Sequence, residues 1–482
     1  MLQPGPAAWV RRYSDAYYER EAAHPLDADR EEILAGIGDE ARSPSSPSAP
    51  PFEAPADGPL PLAGLRILDT GNVIAGPTVG SVLARFGAEC IKVDKPFPEY
   101  DPGLSVLYAL HCNRGKRSML LDLTRSDGRE VLTKLVATSD VVVYNGSDRQ
   151  LEKLGLDLAS LAATNPSIVL CLASAYGGPR QGPKSGHPGY DECAQSLTGI
   201  SVRNGGSLAT AEEISPVGCL DHLCGFLGAY AVLLGLIERS RCEGPVQVGT
   251  SLSATAQLVQ LPFMYEEDDR LPFDEPCGPD AQGEHALYRL YRTNDGWLFL
   301  GAKRDQMASL RRLAEFADLP EIALDLIGDG PSAARGAAAI REDRKLMQRL
   351  EAGFALRPAG EWVRELTALG IGACVVRSYD QVRAANLVRE SDAGSRLNGD
   401  QGLAGPLFVR HESHPSGHVI DLVAPTAIRM QHCRTVAPGA APKFGAHTCE
   451  LLREQGLTDG QVQELLANGT ARESLGDQYL PD

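Results

Sequence analysis

The chain has 482 residues, of which 43% are hydrophobic and 23% are charged, and its formal net charge is −17. These proportions are typical of a globular protein, exclude a mainly disordered one, and leave room for two or more compact units. The negative charge argues against nucleic acid as the main partner, because duplex binding needs clustered lysine and arginine.

The N-terminal part of the chain differs in composition from the rest. Residues 1–42 read as an acidic extension with one or two helices, around 7–21 and 27–38. Residues 43–61 are rich in Pro, Ser and Ala, a composition that favours extended chain and indicates a linker.

Short apolar segments alternate with helical segments over 62–264. This alternation predicts an α/β domain with a mostly parallel sheet and crossover helices. It ends with a long helix over 222–241 and a further strand and helix start over 246–256. The earlier strands are predicted at 65–71, 90–95, 118–123, 140–145 and within 165–177.

A second, smaller α+β domain is predicted over 284–402, after an acidic connection at 265–283. It opens with a hairpin over 287–303 that turns at Asn294-Asp295-Gly296. Helices around 304–317, 335–354 and 359–368 follow the hairpin. Residues 403–482 form a C-terminal segment with extended chain and two final helices, and we expect it to return to the large domain.

Cysteine usage and hydropathy bear on the compartment. The chain has 11 cysteines at irregular spacing, and its first residues lack the apolar core of a signal peptide. We therefore expect reduced thiols in a cytoplasmic protein. The most apolar stretch, 223–237, is shorter than the roughly 20 residues that cross a bilayer, so it predicts a buried core helix and no membrane partner.

Two motifs resemble cofactor or metal sites only weakly. The turn at 71–77 fails the G-x-G-x-x-G spacing of a dinucleotide site, and Pro77 suits the first turn of a helix. The alternative is a loop whose backbone approaches another ligand closely. The CLDHLC segment (219–224) offers metal-ligand side chains but no second pair nearby, so no metal is predicted.

Asp221 is the most informative candidate. It lies at the N-cap or in the first turn of the apolar helix, where an aspartate commonly serves only as a cap. The same place suits a carboxylate nucleophile, because helix-terminal N–H groups favour its ionised form. Tyr190 and Asp191 stand at another helix start, where capping and packing are the simpler interpretations.

Two further clusters have ordinary explanations beside functional ones. Arg114, Lys116 and Arg117 read either as an anion site or as a solvated loop. The histidines at 411, 414 and 418 lie among Pro, Ser and Gly, so they indicate a solvated turn.

Taken in chain order, these segments resemble the class III coenzyme A transferase family, which includes formyl-CoA transferase, carnitine CoA-transferase and 2-methylacyl-CoA racemases. The resemblance runs from about Pro61 to near Ala471. It is carried by PLAGLRILD, NVIAGP, FGAECIKVDKP, NRGKRSMLLDL, GREVLTKLVATSDVVVYN, LEKLGLD, GPKSGHPGYDECAQSLTG, VGCLDHLCGFLGAYAVLLGLIER, YRTNDGWLFL, LGIGACVV and APKFGAHTCELL.

The resemblance implies a fold and a set of site residues. The fold is a Rossmann-like large domain with an inserted smaller α+β domain, in an interlocked homodimer. Asp221 would be the catalytic nucleophile, supported by Tyr190, Asp191 and His222. The residues expected to contact CoA are Val73, Ile74 and Ala75 at the thiol end, Lys95 at the phosphates, and Leu121, Asn145, Gly146, Lys153 and Leu154 along the nucleotide and pantetheine path.

The activity implied is transfer of CoA from an acyl-CoA to a carboxylic acid, through an aspartyl anhydride and an aspartyl-CoA thioester. CoA is then a substrate, and no prosthetic group is expected. Racemases of the family have His where this chain has Tyr190, and a phenol exchanges protons poorly at neutral pH, which favours transfer. A racemase, epimerase or other acyl-CoA isomerase stays an alternative, as does a non-catalytic CoA-ester-binding scaffold protein.

This chain also departs from the family pattern. The acidic-Asn-aromatic-Arg-Pro stretch of the family is Tyr-Asn-Gly-Ser-Asp at 144–148. Ile74 stands where formyl-CoA transferase has Gln, and the glycine run that covers that enzyme's site has no counterpart. Oxalate and formate are therefore not the expected substrates, and the resemblance names no other.

Overall fold

The computed structural model describes residues 6–13, 60–97, 102–180, 182–214, 218–261, 277–279, 281–319, 337–398, 407–424, 428 and 438–476. The chain divides into two compact units. The larger unit consists of Gly5–Asp191, Gly218–Thr255 and Asn386–Asp482, and the smaller of Met1–Pro4, Glu192–Val217 and Ala256–Ala385. The domain boundaries expected from the sequence stay a prediction. The helix expected at 27–38 and most of the linker at 43–61 lie outside the described residues.

The strands are numbered in chain order. They are β1 (Ala8–Val10), β2 (Arg66–Asp69), β3 (Glu89–Asp94), β4 (Lys116–Leu121), β5 (Val141–Tyr144), β6 (Val169–Ser174), β7 (Val246–Ser251), β8 (Gly283–His285), β9 (Tyr288–Arg292), β10 (Trp297–Gly301), β11 (Gly372–Val375), β12 (Leu387–Arg389), β13 (Leu407–His411), β14 (Ile420–Ala424) and β15 (Ala471–Arg472).

The α-helices are numbered in the same way. They are α1 (Ala75–Ala84), α2 (Pro102–Cys112), α3 (Ser126–Ala137), α4 (Asp148–Leu154), α5 (Leu158–Thr164), α6 (Asp191–Thr198), α7 (Ile200–Gly205), α8 (Cys219–Arg239), α9 (Leu252–Val259), α10 (Met307–Leu310), α11 (Ala337–Phe354), α12 (Ala359–Ala368), α13 (Tyr379–Asn386), α14 (Glu390–Asn398), α15 (Thr448–Glu454) and α16 (Asp459–Ala467).

An eight-stranded sheet in the order β1-β7-β6-β5-β2-β3-β4-β15 forms the centre of the larger unit. Six neighbouring strands, β7 to β4 in that order, run parallel, and β1 and β15 add antiparallel edges. The α/β architecture with a large, mostly parallel sheet is therefore confirmed.

Both faces of this sheet are covered by helices. Successive strand residues point to opposite faces, and in β2 both Ile67 and Leu68 are fully buried. Ile67 belongs to an apolar cluster that contains residues of α1 and α8, whereas Leu68 belongs to one that contains residues of α3 and α15. Continuous apolar strands of this kind are typical of parallel sheets buried on both sides.

The helix predicted at 7–21 is wrong at its start. Residues Ala8–Val10 form strand β1, and Trp9 pairs with Gly249 on β7. A β-carbon on Gly249 would lie 2.9 Å from Nε1 of Trp9, so the indole can pack here only because residue 249 has no side chain. Strand pairing at an otherwise open sheet edge outweighs the local helical preference of this segment.

Helix α8 has two different faces. Among the described helices, α8 is the one that is long and apolar enough to cross a membrane, by length and composition alone. In its most apolar window, 44% of the residues are buried. One face packs against the sheet through Cys224, Ala229 and Val232, whereas large side chains such as Leu223 and Tyr230 are exposed. The predicted core helix is thus buried along one face only.

The smaller unit contains the predicted hairpin. Strands β9 and β10 pair antiparallel with Arg292 opposite Trp297, so the turn at 294–296 is confirmed. They belong to a four-stranded sheet in the order β11-β10-β9-β8. Phe316, Phe354 and Trp362 pack beside this sheet as a buried aromatic cluster. A separate three-stranded sheet, β12-β13-β14, belongs to the larger unit.

Candidate functional site

Two cavities open at the carboxyl edge of the parallel strands. Ligands of open parallel sheets bind at this edge, where the strand order reverses, and here the reversal falls between β2 and β5. A cavity of about 790 Å³, called the larger cavity below, is lined by segments that follow β2, β5 and β6 and by the start of α8. A second cavity of about 160 Å³, the smaller cavity, is lined by the ends of β3, β4 and β5 and by α4.

Asp221 lines the larger cavity from the first turn of α8. The N-cap of that helix is Gly218, with a φ of 78°, and it supplies no side-chain cap. Asp221 is the third residue after it and therefore does not have the N-cap position. The sequence predicted that Asp221 lies either at the N-cap or in the first turn, and in the structure it lies in the first turn.

Asp191 provides the cap that Gly218 cannot. Its carboxylate oxygen Oδ2 accepts hydrogen bonds from the backbone N–H groups of Leu220 at 2.6 Å and Asp221 at 3.1 Å. Asp191 is only 2% exposed, although it begins the separate helix α6. The sequence suggested that Asp191 caps its own helix, whereas in the structure its carboxylate binds N–H groups at the start of α8. A buried carboxylate from another element thus fixes the backbone that carries Asp221.

The turn between β2 and α1 forms the wall beside Asp221. Val73 has a φ of 61°, which for a β-branched residue costs about 1–2 kcal/mol. Asn145, just after β5, accepts from the backbone N–H of Asn72 at 2.7 Å and donates to the carbonyl of Asn72 at 2.8 Å. On the other side, Asp69 accepts from the N–H of Gly71 at 2.9 Å.

Glycines let α8 approach α1 closely enough to bring Asp221 to this wall. A β-carbon on Gly225 would lie 2.3 Å from Cβ of Thr78, and one on Gly228 would lie 2.6 Å from Cγ2 of Val79. Neither distance is compatible with a side chain. The small residues of α8 are therefore required by the packing that assembles the site.

All nine residues expected to contact CoA line one or both cavities. They divide into Val73, Ile74, Ala75, Asn145 and Gly146 at the larger cavity, Leu121 and Leu154 at the smaller cavity, and Lys95 and Lys153 at both. Lys95 and Lys153 place two ammonium groups in the region that the two cavities share. Such a region suits an anionic ligand that extends through both cavities.

The supporting residues occupy different environments. Tyr190 lines the larger cavity and is 67% exposed. His222 turns away, with its Nδ1 3.4 Å from the hydroxyl of Thr78 and its ring edge-on to His111, 5.3 Å between centroids. Burial and then the positive charge of Arg85 lower the pKa of His222. The structure thus brings Tyr190, but not His222, to the cavity beside Asp221.

Both interpretations of the basic cluster are wrong. Arg114 is buried and donates to the carbonyls of Val423 and Pro438 at 2.7 Å. Lys116 is buried against Asp69 at 2.6 Å, and the half-buried Arg117 pairs with glutamates. Because these cations are neutralised or hydrogen-bonded within the protein, they form neither an anion site nor a solvated loop.

The predicted solvated histidine turn is also wrong at two of its three positions. His411 and His414 are buried, whereas His418 is exposed. The structure also places residues in the larger cavity that the sequence did not single out. Those with ionisable side chains are Asp148, Arg149, Tyr176 and His187. The first two lie within three residues of the predicted contact residue Gly146, and that proximity was the available signal.

The described residues contain no group of three or more His, Cys, Asp or Glu side chains that could hold a metal ion. The cysteines in these parts of the chain are free thiols. The ionisable groups that line the larger cavity are carboxylates, phenols, an imidazole, a guanidinium and ammonium groups.

Comparison with known proteins agrees with this arrangement. The model of CoA-transferase family III matches residues 62–448. The chain is 33% identical over 483 residues to CoA-transferase/lyase DddD of Marinomonas sp. (strain MWYL1), covering 100% of this chain and 54% of that protein. The chain thus spans about half the length of that relative.

Two other similar proteins cover most of the chain. The succinyl-CoA–L-malate CoA-transferase alpha subunit of Chloroflexus aurantiacus is 28% identical over 446 residues, 87% of this chain and 94% of that one. The crystal structure of hypothetical protein Rv3272 from Mycobacterium tuberculosis superposes with a TM-score of 0.62 at 27% identity, covering 82% of this chain and 99% of the other.

Proposed function

Because the chain belongs to CoA-transferase family III, we propose that it moves CoA from an acyl-CoA donor to a carboxylic acid acceptor. One observation carries the proposal. The carboxylate of Asp221 faces a cavity of about 790 Å³ whose walls hold residues expected to contact CoA. The acyl-CoA and the carboxylic acid are the proposed partners, without nucleic acid, membrane or prosthetic group.

The two cavities suggest how CoA is bound. The nucleotide takes the smaller cavity between Leu121 and Leu154, and its phosphates lie near Lys95 and Lys153. The pantetheine arm then follows Asn145 and Gly146 into the larger cavity, so that the thioester reaches Asp221. Lys95 and Lys153 line both cavities, which supports this path, because a CoA phosphate at the boundary can pair with a lysine ammonium group from either cavity.

The reaction proceeds by exchange at acyl carbons. A carboxylate oxygen of Asp221 attacks the thioester carbonyl, the C–S bond breaks, and CoA leaves as a thiolate from an aspartyl anhydride. The thiolate attacks the Asp221 carbonyl, releasing the donor acid and forming an aspartyl-CoA thioester. The acceptor carboxylate reverses both steps and regenerates Asp221. No net proton or electron is exchanged, and positioning contributes on the order of 7–11 kcal/mol.

The turn at 73–76 is the proposed oxyanion site. The start of α8, at Cys219, is the other helix start beside the larger cavity. The N–H groups of Leu220 and Asp221 are bound to Asp191. Within the described residues the N–H groups of Ile74 and Ala75 have no hydrogen-bond acceptor, so they remain for a developing negative oxygen.

We extend the proposal to fold and assembly. The parallel strands follow the order β4-β3-β2-β5-β6-β7, which supports a Rossmann-like large domain. An exposed apolar stripe on α8, formed by Leu223, Tyr230, Leu233 and Ile237, supports the interlocked homodimer, because such a stripe would be covered by a second chain. We also propose that the protein is located in the cytoplasm.

Trapping of the acyl-enzyme tests the mechanism. Incubation with acyl-CoA and hydroxylamine should convert Asp221 to a hydroxamate that mass spectrometry locates, and Asp221→Asn should lower transfer by at least about 10³-fold. Asp127→Asn, a first-turn aspartate on the remote helix α3, is the matched control and should retain the modification. An unmodified Asp221 together with full activity of Asp221→Asn would contradict the proposed mechanism.

The same incubations separate the alternatives. Solvent deuterium at the α-carbon without a change of CoA partner would indicate a racemase, epimerase or isomerase. Binding of acyl-CoA with no turnover across a panel of carboxylates would indicate a scaffold protein. The relative that matches the whole chain is named a CoA-transferase/lyase, and product analysis would reveal a lyase step as loss of a group from the acyl chain.

A further inference from the structure

We infer that Asn145 is a positioning residue: its side-chain amide holds the turn at 72–75 in a strained conformation that sets the N–H groups of Ile74 and Ala75 beside Asp221. The catalytic consequence rests on the proposed function, whereas the structural part does not. The resemblance to the family implied only that Asn145 lines the path of CoA.

The amide of Asn145 is bound to both polar groups of a single residue. Its Oδ1 accepts from the backbone N–H of Asn72 at 2.7 Å, and its Nδ2 donates to the carbonyl oxygen of Asn72 at 2.8 Å. This paired geometry is called the Asn145 clamp below. Because the two bonds share one planar group, Asn72 cannot rotate without breaking both of them.

The clamp lies directly before the strained residue. Val73 has a φ of 61° and is 37% exposed, so burial of its side chain does not account for this conformation. Such a conformation persists only where the surroundings impose it. The clamp fixes Asn72 on one side, and helix α1 begins at Ala75 on the other. Val73 is therefore held between two anchored points.

The site is also built to accommodate the clamp. A β-carbon on Gly76 would lie 2.9 Å from Cγ of Asn145, so only glycine leaves space for the amide. The same approach brings Gly76 against Gly71, where an added β-carbon would lie 3.0 Å from Cα of Gly71. Loss of the Asn145 side chain would leave this space empty and free the turn to relax.

Relaxation of the turn would be transmitted to Asp221. A β-carbon on Gly218 would lie 2.7 Å from Cδ1 of Ile74 and 3.7 Å from Oδ2 of Asp221, so both side chains border the same glycine. A shift of Ile74 changes where its N–H and that of Ala75 lie relative to the attacked carbonyl. A role in direct CoA binding would instead leave the turn unchanged when Asn145 is removed.

The experiment combines Asn145→Ala, Val73→Gly and the double variant. Hydrogen–deuterium exchange over 71–76 reports the turn, kcat and KM for acyl-CoA report catalysis, and the Kd of CoA reports binding. Asn165→Ala is the matched control, because Asn165 also donates its amide to backbone carbonyls, those of Val136 and Ser139, away from both cavities. Asn145→Asp, which keeps the acceptor and loses the donor, serves if Asn145→Ala does not fold.

We expect faster exchange over 71–76 in Asn145→Ala and not in Asn165→Ala. Its kcat should fall about 10²-fold, whereas KM and the Kd of CoA should change by a smaller factor, because Asn145 and the turn also line the proposed CoA path. Val73→Gly in that background should restore kcat by about tenfold, because glycine adopts a positive φ without strain.

Other outcomes overturn one claim or the other. Unchanged exchange in Asn145→Ala overturns the clamp. A raised KM and Kd at constant kcat, with no restoration by Val73→Gly, makes Asn145 a CoA ligand and overturns the positioning role. Faster exchange in a protein whose wild type transfers no CoA supports the clamp and overturns the proposed function.

Discussion

The carboxylate of Asp191 accepts a hydrogen bond from the backbone N–H of Asp221 at 3.1 Å, and the same oxygen accepts from Leu220 at 2.6 Å. The two aspartates thus have different tasks. Asp191 is buried and satisfies the helix terminus, which Gly218 at the N-cap cannot do. Asp221 is the third helical residue and lines the larger cavity. Asp191, and not Asp221, therefore caps the start of α8.

Removal of this cap should destabilise the larger unit and misplace Asp221. We expect Asp191→Ala to lower the free energy of unfolding by about 1–2 kcal/mol, because N–H groups at the start of α8 lose their acceptor. Asp191→Asn keeps an acceptor oxygen and should lose less. Urea unfolding and kcat for CoA transfer measure the two effects. Unchanged stability of Asp191→Ala with loss of transfer would mean that Asp191 acts on the substrate instead.

Gly218 is expected to tolerate no side chain. Its φ is 78°, and an added β-carbon would lie 2.7 Å from Cδ1 of Ile74. Gly218→Ala should therefore lower the free energy of unfolding by about 2–4 kcal/mol, combining backbone strain with overpacking, and it should lower kcat. Gly64→Ala is the matched control, since Gly64 has a φ of 88° and open space around it. Equal losses for the two variants would show that the contact with Ile74 is unimportant.

The local pattern of the sequence predicted the larger sheet well. Strands such as β2 and β5 are short apolar runs, and the helices between them have clear periodicity, so parallel strands and crossovers follow from residues close together in the chain. The predicted helix over 359–368 coincides with α12. Local pattern failed at β1, because its structure depends on β7, more than 200 residues away.

The candidate site shows the same division between local and distant information. Asp221 was singled out from its own segment, and its expected role and that of the turn at 73–75 came from the resemblance to the family. The cap from Asp191 to α8 and the Asn145 clamp were not predicted, because each joins elements that only the folded chain brings together. The basic cluster failed for a related reason. Charge alone indicated exposure for Lys116, whereas its partner Asp69 lies 47 residues earlier.

The buried ion pair between Lys116 and Asp69 should be essential for stability. Both side chains are fully buried, and the Lys116 ammonium also donates to the carbonyl of Pro77 at 2.6 Å. Lys116→Met would leave the Asp69 carboxylate buried without compensation, at a cost of about 3–5 kcal/mol. Arg66→Met breaks the partly exposed pair with Glu89 and should cost at most about 1 kcal/mol. Urea unfolding of both variants compares the costs, and similar losses would contradict this prediction.

Acid should destabilise the protein through His111, which lies beside His222 near the start of α8. Burial lowers the pKa of His111 to about 3, and the positive charge of Arg85 acts in the same direction. His222 and Arg114 also face this imidazole and oppose its protonation. The folded protein therefore keeps His111 neutral over a pH range in which the unfolded chain binds a proton.

The sign of the effect follows from this difference in proton binding. The folded pKa lies below the unfolded value of about 6.5, so the contribution of His111 is fully present above pH 6.5 and is lost as the pH falls towards 3. The free energy of unfolding should drop by up to about 1.4 kcal/mol per pH unit in that window. His111→Gln removes this dependence, so the free energy of unfolding of the variant should fall less steeply than that of wild type between pH 6.5 and 4. The reference is pH 8, where residue 111 carries no added proton in either protein. Urea unfolding at a series of pH values measures the slopes, and parallel curves for wild type and variant would show that His111 is not held neutral by the fold.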